Sequence, residues 1–159
     1  MLELMAAVAV LAVLLAIGVP SFNNIIRRNR VAAHTNELVA ALSIARSEAV
    51  KRSNPVAVCS TDATQAACKD GWSGGWIVFT DEEAPGFVDA GDVILQRWSS
   101  PGADKVNVAG TVPFVRFRHD GRAQSARFDV IPSSCHSGDV RVVAVSGGGR
   151  VTSRAGACP

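Results

Sequence analysis

The sequence lacks the short motifs that mark nucleotide and redox chemistry. It contains no Walker loop and no dinucleotide fingerprint, which excludes the phosphate-binding folds that depend on them. None of its cysteines forms a C-x-x-C pair, and no histidine lies near Cys59 or Cys68, so zinc ribbons and thioredoxin-like sites fit poorly. Repeats and low-complexity segments are absent too. These absences favour a protein without a cofactor or metal, and 159 residues suit a single core.

Charge is scarce and unevenly placed. Charged residues make up 19% of the chain and hydrophobic residues 48%, which excludes a disordered protein. Residues 4–19 carry no charged or polar side chain, residues 20–53 and 114–159 are each basic, and residues 54–113 are acidic. The net charge of +2 is the balance of these blocks. This pattern argues against a uniformly basic nucleic-acid binder and leaves a basic face at the C-terminal end.

The apolar run at residues 4–19 is predicted to be the first part of a long helix. Its 16 residues would extend about 24 Å, against roughly 30 Å of bilayer hydrocarbon. It lacks the basic residues and the cleavage site expected of a signal peptide. Pro20, which directly follows the run, is predicted to kink the helix because proline removes a backbone hydrogen bond.

The helical pattern continues beyond Pro20. Leu38, Leu42, Ala45 and Ala49 recur at the spacing of one helix face, which predicts an amphipathic second half. The pair at residues 54–55, Asn-Pro, is the predicted stop. We therefore expect one helix of about fifty residues, apolar at first and then packed against the rest of the protein.

The four cysteines form two spaced pairs, Cys59/Cys68 and Cys135/Cys158. Behind a membrane-inserting segment, these pairs indicate two structural disulfides in an oxidising compartment; four buried thiols in a cytosolic protein are the alternative. The arginines that follow the apolar run would instead place the head in the cytoplasm by the positive-inside rule. We expect that a basic leader, absent from this chain, precedes Met1 and removes the conflict.

From Pro55 onward the pattern changes to short strands separated by Gly, Pro, Asp and Ser. The predicted strands cover residues 56–59, 76–79, 93–98, 114–118, 127–131, 140–145 and 150–152. Such a series predicts an α+β fold in which antiparallel sheet packs on the second half of the helix. The expected organisation is a transmembrane or filament-core half-helix at 1–26, an amphipathic half-helix at 27–53 and a periplasmic β-rich head at 54–159.

The N-terminus resembles that of type IV pilins. The resemblance rests on Leu2-Glu3-Leu4-Met5, the apolar run, the stretch Ile-Gly-Val-Pro-Ser-Phe at 17–22 and the continuing helix. Family members begin, after leader cleavage, with Phe-Thr-Leu-x-Glu. The resemblance therefore implies that Met1 is the third mature residue and that Glu3 is the glutamate used in assembly. Without the resemblance, an interfacial charge at a helix N-terminus is an equally good interpretation of Glu3.

The head is similar to the GspH/FimT/FimU family of minor pilins and pseudopilins. The similar segments are Ala-Arg-Ser-Glu-Ala-Val at 45–50, Trp-Ile-Val-Phe at 76–79 and Gly-Arg-Val at 149–151. The resemblance implies a non-enzymatic minor pilin, anchored once in the inner membrane, that joins other minor pilins and the major pilin to initiate or cap a type IV pilus. The alternatives are a filament-tip pilin that binds DNA for natural transformation, and a minor pseudopilin of type II secretion.

The DNA-binding alternative depends on three arginines, Arg141, Arg150 and Arg154. Arginine binds phosphate well because its planar group donates two hydrogen bonds at once. DNA-uptake members of the family resemble one another in a Gly-Arg-x-Arg motif, whereas Thr152 stands here in place of the second arginine. On a strand, Arg154 would share a face with Arg150. On this alternative, the partner would be double-stranded DNA bound without sequence preference; the favoured interpretation is a solvated edge or an interface with another minor pilin.

Two further patterns have weaker chemical interpretations. Residues 71–75 match the G-x-S-x-G nucleophile motif, with Ser73 central, but the expected strand before it and helix after it are missing, so a glycine-rich turn is predicted. Five carboxylates lie within residues 81–92 and could hold calcium, although they lack the EF-hand spacing. The prediction there is a solvated acidic loop. The histidines, His34, His119 and His136, show no ligand spacing.

Overall fold

The computed structural model describes residues 2–83, 86–100, 102, 105–135 and 138–159, except for the side chains of residues 2, 12, 13 and 15–21. One helix, α1 (Leu2–Arg52), leads into eight strands. The strands are β1 (Val56–Ser60), β2 (Gly75–Thr80), β3 (Ile94–Ser99), β4 (Val106–Gly110), β5 (Phe114–Phe117), β6 (Ala126–Pro132), β7 (Val140–Val145) and β8 (Val151–Gly156). A short 3₁₀ helix, Trp72–Gly74, precedes β2.

The strands form two antiparallel sheets of four. The order in sheet one is β3-β2-β1-β5 and in sheet two β4-β6-β7-β8. Both sheets contribute to one hydrophobic core with the second half of α1, which confirms the α+β prediction. Strand β4 was not predicted, because only Val106 and Val108 of its five residues are buried and its alternation is short.

The predicted face of α1 is confirmed by its burial. Leu38, Leu42, Ala45 and Ala49 have no exposed surface, and among the described side chains of the helix the first buried one is Val31. The helix ends at Arg52, and Ser53 then takes a left-handed conformation with φ of 55°. Pro55 has no backbone N–H and so cannot continue the helical hydrogen bonds. The helical assignment runs through Pro20, whose side chain lies outside the described part, so the kink there stays a prediction.

Aromatic residues hold the two sheets together. Trp76, Phe117 and Phe128 are fully buried, and Trp72 packs edge-on against Phe128 with ring centres 4.6 Å apart. The Trp72 indole N–H donates to the carbonyl of Val112 at 2.8 Å, so its polar atom is satisfied inside the head. This packing positions both sheets against α1 and thereby determines which charges meet at each end of the helix.

Candidate functional site

The first half of α1 exposes its apolar side chains. Eight large hydrophobic residues between positions 4 and 25 are 53–71% exposed: Leu4, Met5, Val8, Val10, Leu11, Leu14, Phe22 and Ile25. Glu3 is exposed in the first turn of the same helix. Contiguous apolar surface of this kind marks a site of contact with lipid or with another protein. Within the part of the chain that the structure describes, no helix has the length and apolarity needed to cross a membrane.

The neck lies where this exposed half meets the head, and we define it as Arg27, Arg28, Ser134, Asp139 and the Cys135–Cys158 disulfide. The Asp139 side chain is fully buried. Arg27 approaches one carboxylate oxygen at 3.2 Å, and the Nε of Arg28 donates to the other at 2.9 Å. Arg27 also donates to Ser134 at 3.0 Å. The loop between β6 and β7 is therefore bound to the middle of α1 through a buried carboxylate.

Both predicted disulfides are present in the structure. Cys59–Cys68 closes the loop after β1, and Cys135–Cys158 joins the β6–β7 loop to the tail after β8, with Cα atoms 5.6 and 6.0 Å apart respectively. The second bond closes the C-terminal segment onto the same loop that carries Asp139.

We expect the double variant Cys135→Ser/Cys158→Ser to lose about 3 kcal/mol of stability, because the bond removes chain entropy from the unfolded state across a long loop. Chemical denaturation of the oxidised wild type and the variant measures this difference. The single variant Arg154→Gln, an exposed change on the adjacent strand, serves as the control and should unfold like wild type. Equal midpoints for wild type and the double variant would contradict the expectation.

The three arginines predicted to bind DNA do not share one surface. Arg141 pairs with Ala155, whereas Arg154 pairs with Val142. Because side chains alternate along a strand and directly paired residues share a face, Arg141 lies on the face of sheet two that packs on α1, and Arg154 lies on the other. Arg150 is in the turn before β8, at the opposite end of β7 from Arg141. Their binding of DNA stays a prediction.

We define the distal end of the head as the end of α1, the hairpin 118–122 and the turn 146–150. A second group of basic residues lies there. Arg116, Arg118 and Arg122 line a cavity of about 390 Å³ there. Arg116 is bound to the buried Asp81 at 2.6 Å, whereas Arg122 approaches Asp120 only at 3.8 Å. Arg46, on α1, donates to the carbonyl of Gly148 at 3.3 Å and joins the turn to the helix.

The acidic segment 81–92 does not form a metal site among the residues that are described, which exclude positions 84 and 85. Asp81 is occupied by Arg116 and by the backbone N–H of Gly86. Asp92 accepts hydrogen bonds from Thr80 and from the N–H of Asp89. Desolvation, followed by the neighbouring charge of Asp92, raises the pKa of Asp89. Asp81 and Asp92 therefore accept hydrogen bonds from the backbone of the segment itself.

Ser73 has a structural environment rather than a catalytic one. Its hydroxyl donates to Asn107 at 2.7 Å and accepts from the N–H of Val108 at 2.9 Å, so it joins the 3₁₀ helix to β4. Neither of its described partners is a histidine. His34 contacts Glu37 at 2.8 Å along α1, and His136 lies outside the described residues.

Sequence reasoning predicted the disulfide of the neck but missed its buried ion pairs. Arg28 and Asp139 are 111 residues apart, and nothing local marks Asp139 as a buried partner. The one available signal was the position of Asp139 between Cys135 and the first residue of β7, which placed it near a predicted disulfide.

Solved structures with the same fold come from two types of bacterial filament system. The type IV minor pilin FimU of Pseudomonas aeruginosa is 21% identical with a TM-score of 0.60, and the match covers 79% of this chain and 88% of that one. The minor pseudopilin EpsH from the Type 2 Secretion System of Vibrio cholerae is 9% identical with a TM-score of 0.58, covering 79% and 97%. The solution structure of E. coli GspH is 17% identical with a TM-score of 0.50, covering 82% and 89%. At these identities the likeness establishes the fold alone.

Among curated proteins, no match to the chain is found. A family model does match, and its description is "Type II transport protein GspH". The match runs over residues 34–149, from the buried half of α1 to the turn before β8. Because this segment covers well over half of the sequence, the chain belongs to the GspH family.

Proposed function

We propose that the chain is a minor pilin that α1 carries into a type IV pilus, where it joins other minor pilins and the major pilin in the complex that initiates or caps the filament. Membership of the GspH family makes it a minor pilin or pseudopilin, a structural and non-enzymatic protein. The observation that supports filament incorporation best is the first half of α1, where the eight large apolar side chains named above are 53–71% exposed. Such a surface requires a bilayer before assembly and neighbouring helices after it.

Glu3 has a defined part in this proposal. It is exposed at the start of an otherwise apolar half-helix. A carboxylate among packed apolar helices is costly unless a positive group neutralises it, so each subunit would be drawn to a position that supplies one. We infer that Glu3 pairs with a positive group of a neighbouring subunit when the subunit leaves the membrane.

The variant Glu3→Gln keeps the shape of the side chain and removes its charge. We expect at least about a tenfold loss of the protein from sheared filaments, since the lost pair is worth more than 1.4 kcal/mol. The measurement is an immunoblot of filament and whole-cell fractions in a deletion strain carrying either version. Glu37→Gln, on the head half of α1, is the matched control and should incorporate normally. Equal recovery of Glu3→Gln and wild type in filaments would refute this role.

A pseudopilin of type II secretion is the second candidate. The description of the matching family and the likeness to EpsH favour it, whereas the likeness to FimU carries the higher identity. The same deletion strain distinguishes them: loss of surface pili with normal protein secretion supports the pilus, and the reverse result supports the secretion system. Natural transformation and DNA uptake are not proposed, because the arginines predicted for that role lie on different surfaces.

A further inference from the structure

We propose that Arg28 of the neck, together with the nearby Arg30 and Arg141, forms a binding site for the anionic headgroups of a phospholipid bilayer. The site comprises Arg28, Arg30 and Arg141. It rests on the proposed function, which places the first half of α1 in a membrane before assembly. Its ligand is the phosphate of a negatively charged lipid.

A cavity of about 260 Å³ opens at the neck between α1 and β7. It is lined by Arg28, Val31, Gly138, Asp139 and Arg141. The Arg28 side chain is 65% exposed even though its Nε is bound to Asp139. Arg141 reaches the cavity from the face of sheet two that packs on α1, whereas Arg154 lies on the opposite face. Two guanidinium groups from distant parts of the chain therefore border one opening.

Positive charge exceeds negative charge at this place. Asp139 is the one carboxylate among the described residues that line the cavity, and it already has both Arg27 and Arg28 as partners. Among the described residues, neither Arg30 nor Arg141 has an acidic partner, and both are exposed. At 100° per residue, Arg28 and Arg30 project on opposite sides of the helix face that Val31 buries. The excess charge is thus distributed around the helix instead of being confined to one side.

The position of these arginines along α1 matches the depth of a bilayer. Phe22 and Ile25, 63% and 53% exposed, lie within two turns of Arg28. The wholly apolar run at residues 4–19 rises about 24 Å and the stretch from Leu4 to Ile25 about 32 Å, so Phe22 and Ile25 would lie near the boundary of the roughly 30 Å of bilayer hydrocarbon. With the apolar half embedded, Arg28, Arg30 and Arg141 would lie at the level of the phosphates.

A membrane surface fits this arrangement better than an acidic protein segment. A peptide would contact one side of the neck, whereas a layer of headgroups surrounds the helix and contacts cations on every side. Guanidinium groups also suit phosphate because they donate two hydrogen bonds in one plane. The exposed apolar residues next to the arginines supply the second component of an interfacial anchor.

The test compares flotation of the full-length chain with vesicles of phosphatidylcholine alone and vesicles containing 30 mol% phosphatidylglycerol. We expect wild type to prefer the anionic vesicles and to lose the preference at 0.5 M salt. The double variant Arg30→Gln/Arg141→Gln leaves the bonds to Asp139 intact. At about fivefold per arginine, it should lose roughly 25-fold of the affinity for anionic vesicles while binding phosphatidylcholine as before.

Arg150→Gln/Arg154→Gln is the matched control, since it removes the same charge from two exposed positions that do not line the cavity: Arg154 lies on the opposite face of sheet two from Arg141, and Arg150 lies at the opposite end of β7. It should retain the preference to within about threefold. An equal loss in both double variants, or equal flotation of wild type with both kinds of vesicle, overturns the headgroup site. Failure of wild type to float with either kind overturns the membrane placement in the proposed function as well. Thermal unfolding of both variants verifies that the head is folded.

Discussion

Replacing Asp139 by asparagine is expected to destabilise the head by about 3 kcal/mol, or roughly 10 °C in Tm. The carboxylate is fully buried and is shared by Arg27 and Arg28. Removing its charge leaves the Arg27 guanidinium, only 18% exposed, without its counter-ion. An unpaired buried charge costs more than the pair contributes, because the desolvation cost remains when the attraction is lost. Circular dichroism at rising temperature measures the change.

Asp129→Asn is the control for this experiment. Asp129 also binds an arginine, at 2.9 Å, but the two side chains are 30% and 52% exposed. Ion pairs in contact with water contribute little, so this variant should lose less than about 1 kcal/mol. If the two variants melt at the same temperature, the burial of Asp139 adds nothing to the stability of the head, and its ion pairs behave like those on the surface.

Replacing Gly149 by alanine is expected to cost about 3 kcal/mol, with a decrease in Tm of similar size to that of Asp139→Asn. Gly149 has φ of 74°, in the left-handed region that side chains disfavour. A Cβ atom there would also overlap the carbonyl oxygen of Gly121 and approach Arg46. The turn would therefore move away from the hairpin and from α1, and the distal end would lose its packing.

The neighbouring glycine provides a close control. A Cβ on Gly148 would meet only the Ser146 hydroxyl, at 3.9 Å, which is an ordinary contact. Gly148→Ala should change the stability by no more than about 0.5 kcal/mol. Calorimetry of both variants separates the effect of the backbone geometry at Gly149 from the effect of replacing any glycine of this turn by alanine. Similar melting temperatures for the two variants would contradict the packing argument.

The elements of the fold were largely predictable because their signals are local. The spacing of Leu38, Leu42, Ala45 and Ala49 marked the buried face of α1, and alternation or apolar runs marked seven strands. Strand β4 was not predicted because its five residues, which include a polar residue and a glycine, show little alternation of apolar and polar side chains. It is a strand because β6 pairs with it along its whole length.

The candidate site was predicted only in its helical part. The exposed apolar half of α1 follows from the order of residues along one helix, whereas the role of Glu3 depends on the resemblance to type IV pilins and stays a prediction. The neck and the distal cavity do not, since each combines residues from separate elements, such as Arg28 with Asp139 or Arg116 with Asp81. Prediction from charge blocks indicated a basic C-terminal region without showing which arginines already had partners.

The sequence by itself determined the long helix, its apolar and amphipathic halves, the cysteine pairs and the β-rich head. All depend on periodicity or on spacing within one segment. Only the tertiary structure decided how the charges were distributed, because that depends on strand register. Because the register of β7 with β8 pairs Arg154 with Val142 and not with Arg141, Arg141 lies on the face toward α1 and Arg154 on the other. The order of strands in sheet two likewise brings Asp139 to the middle of a helix more than a hundred residues earlier.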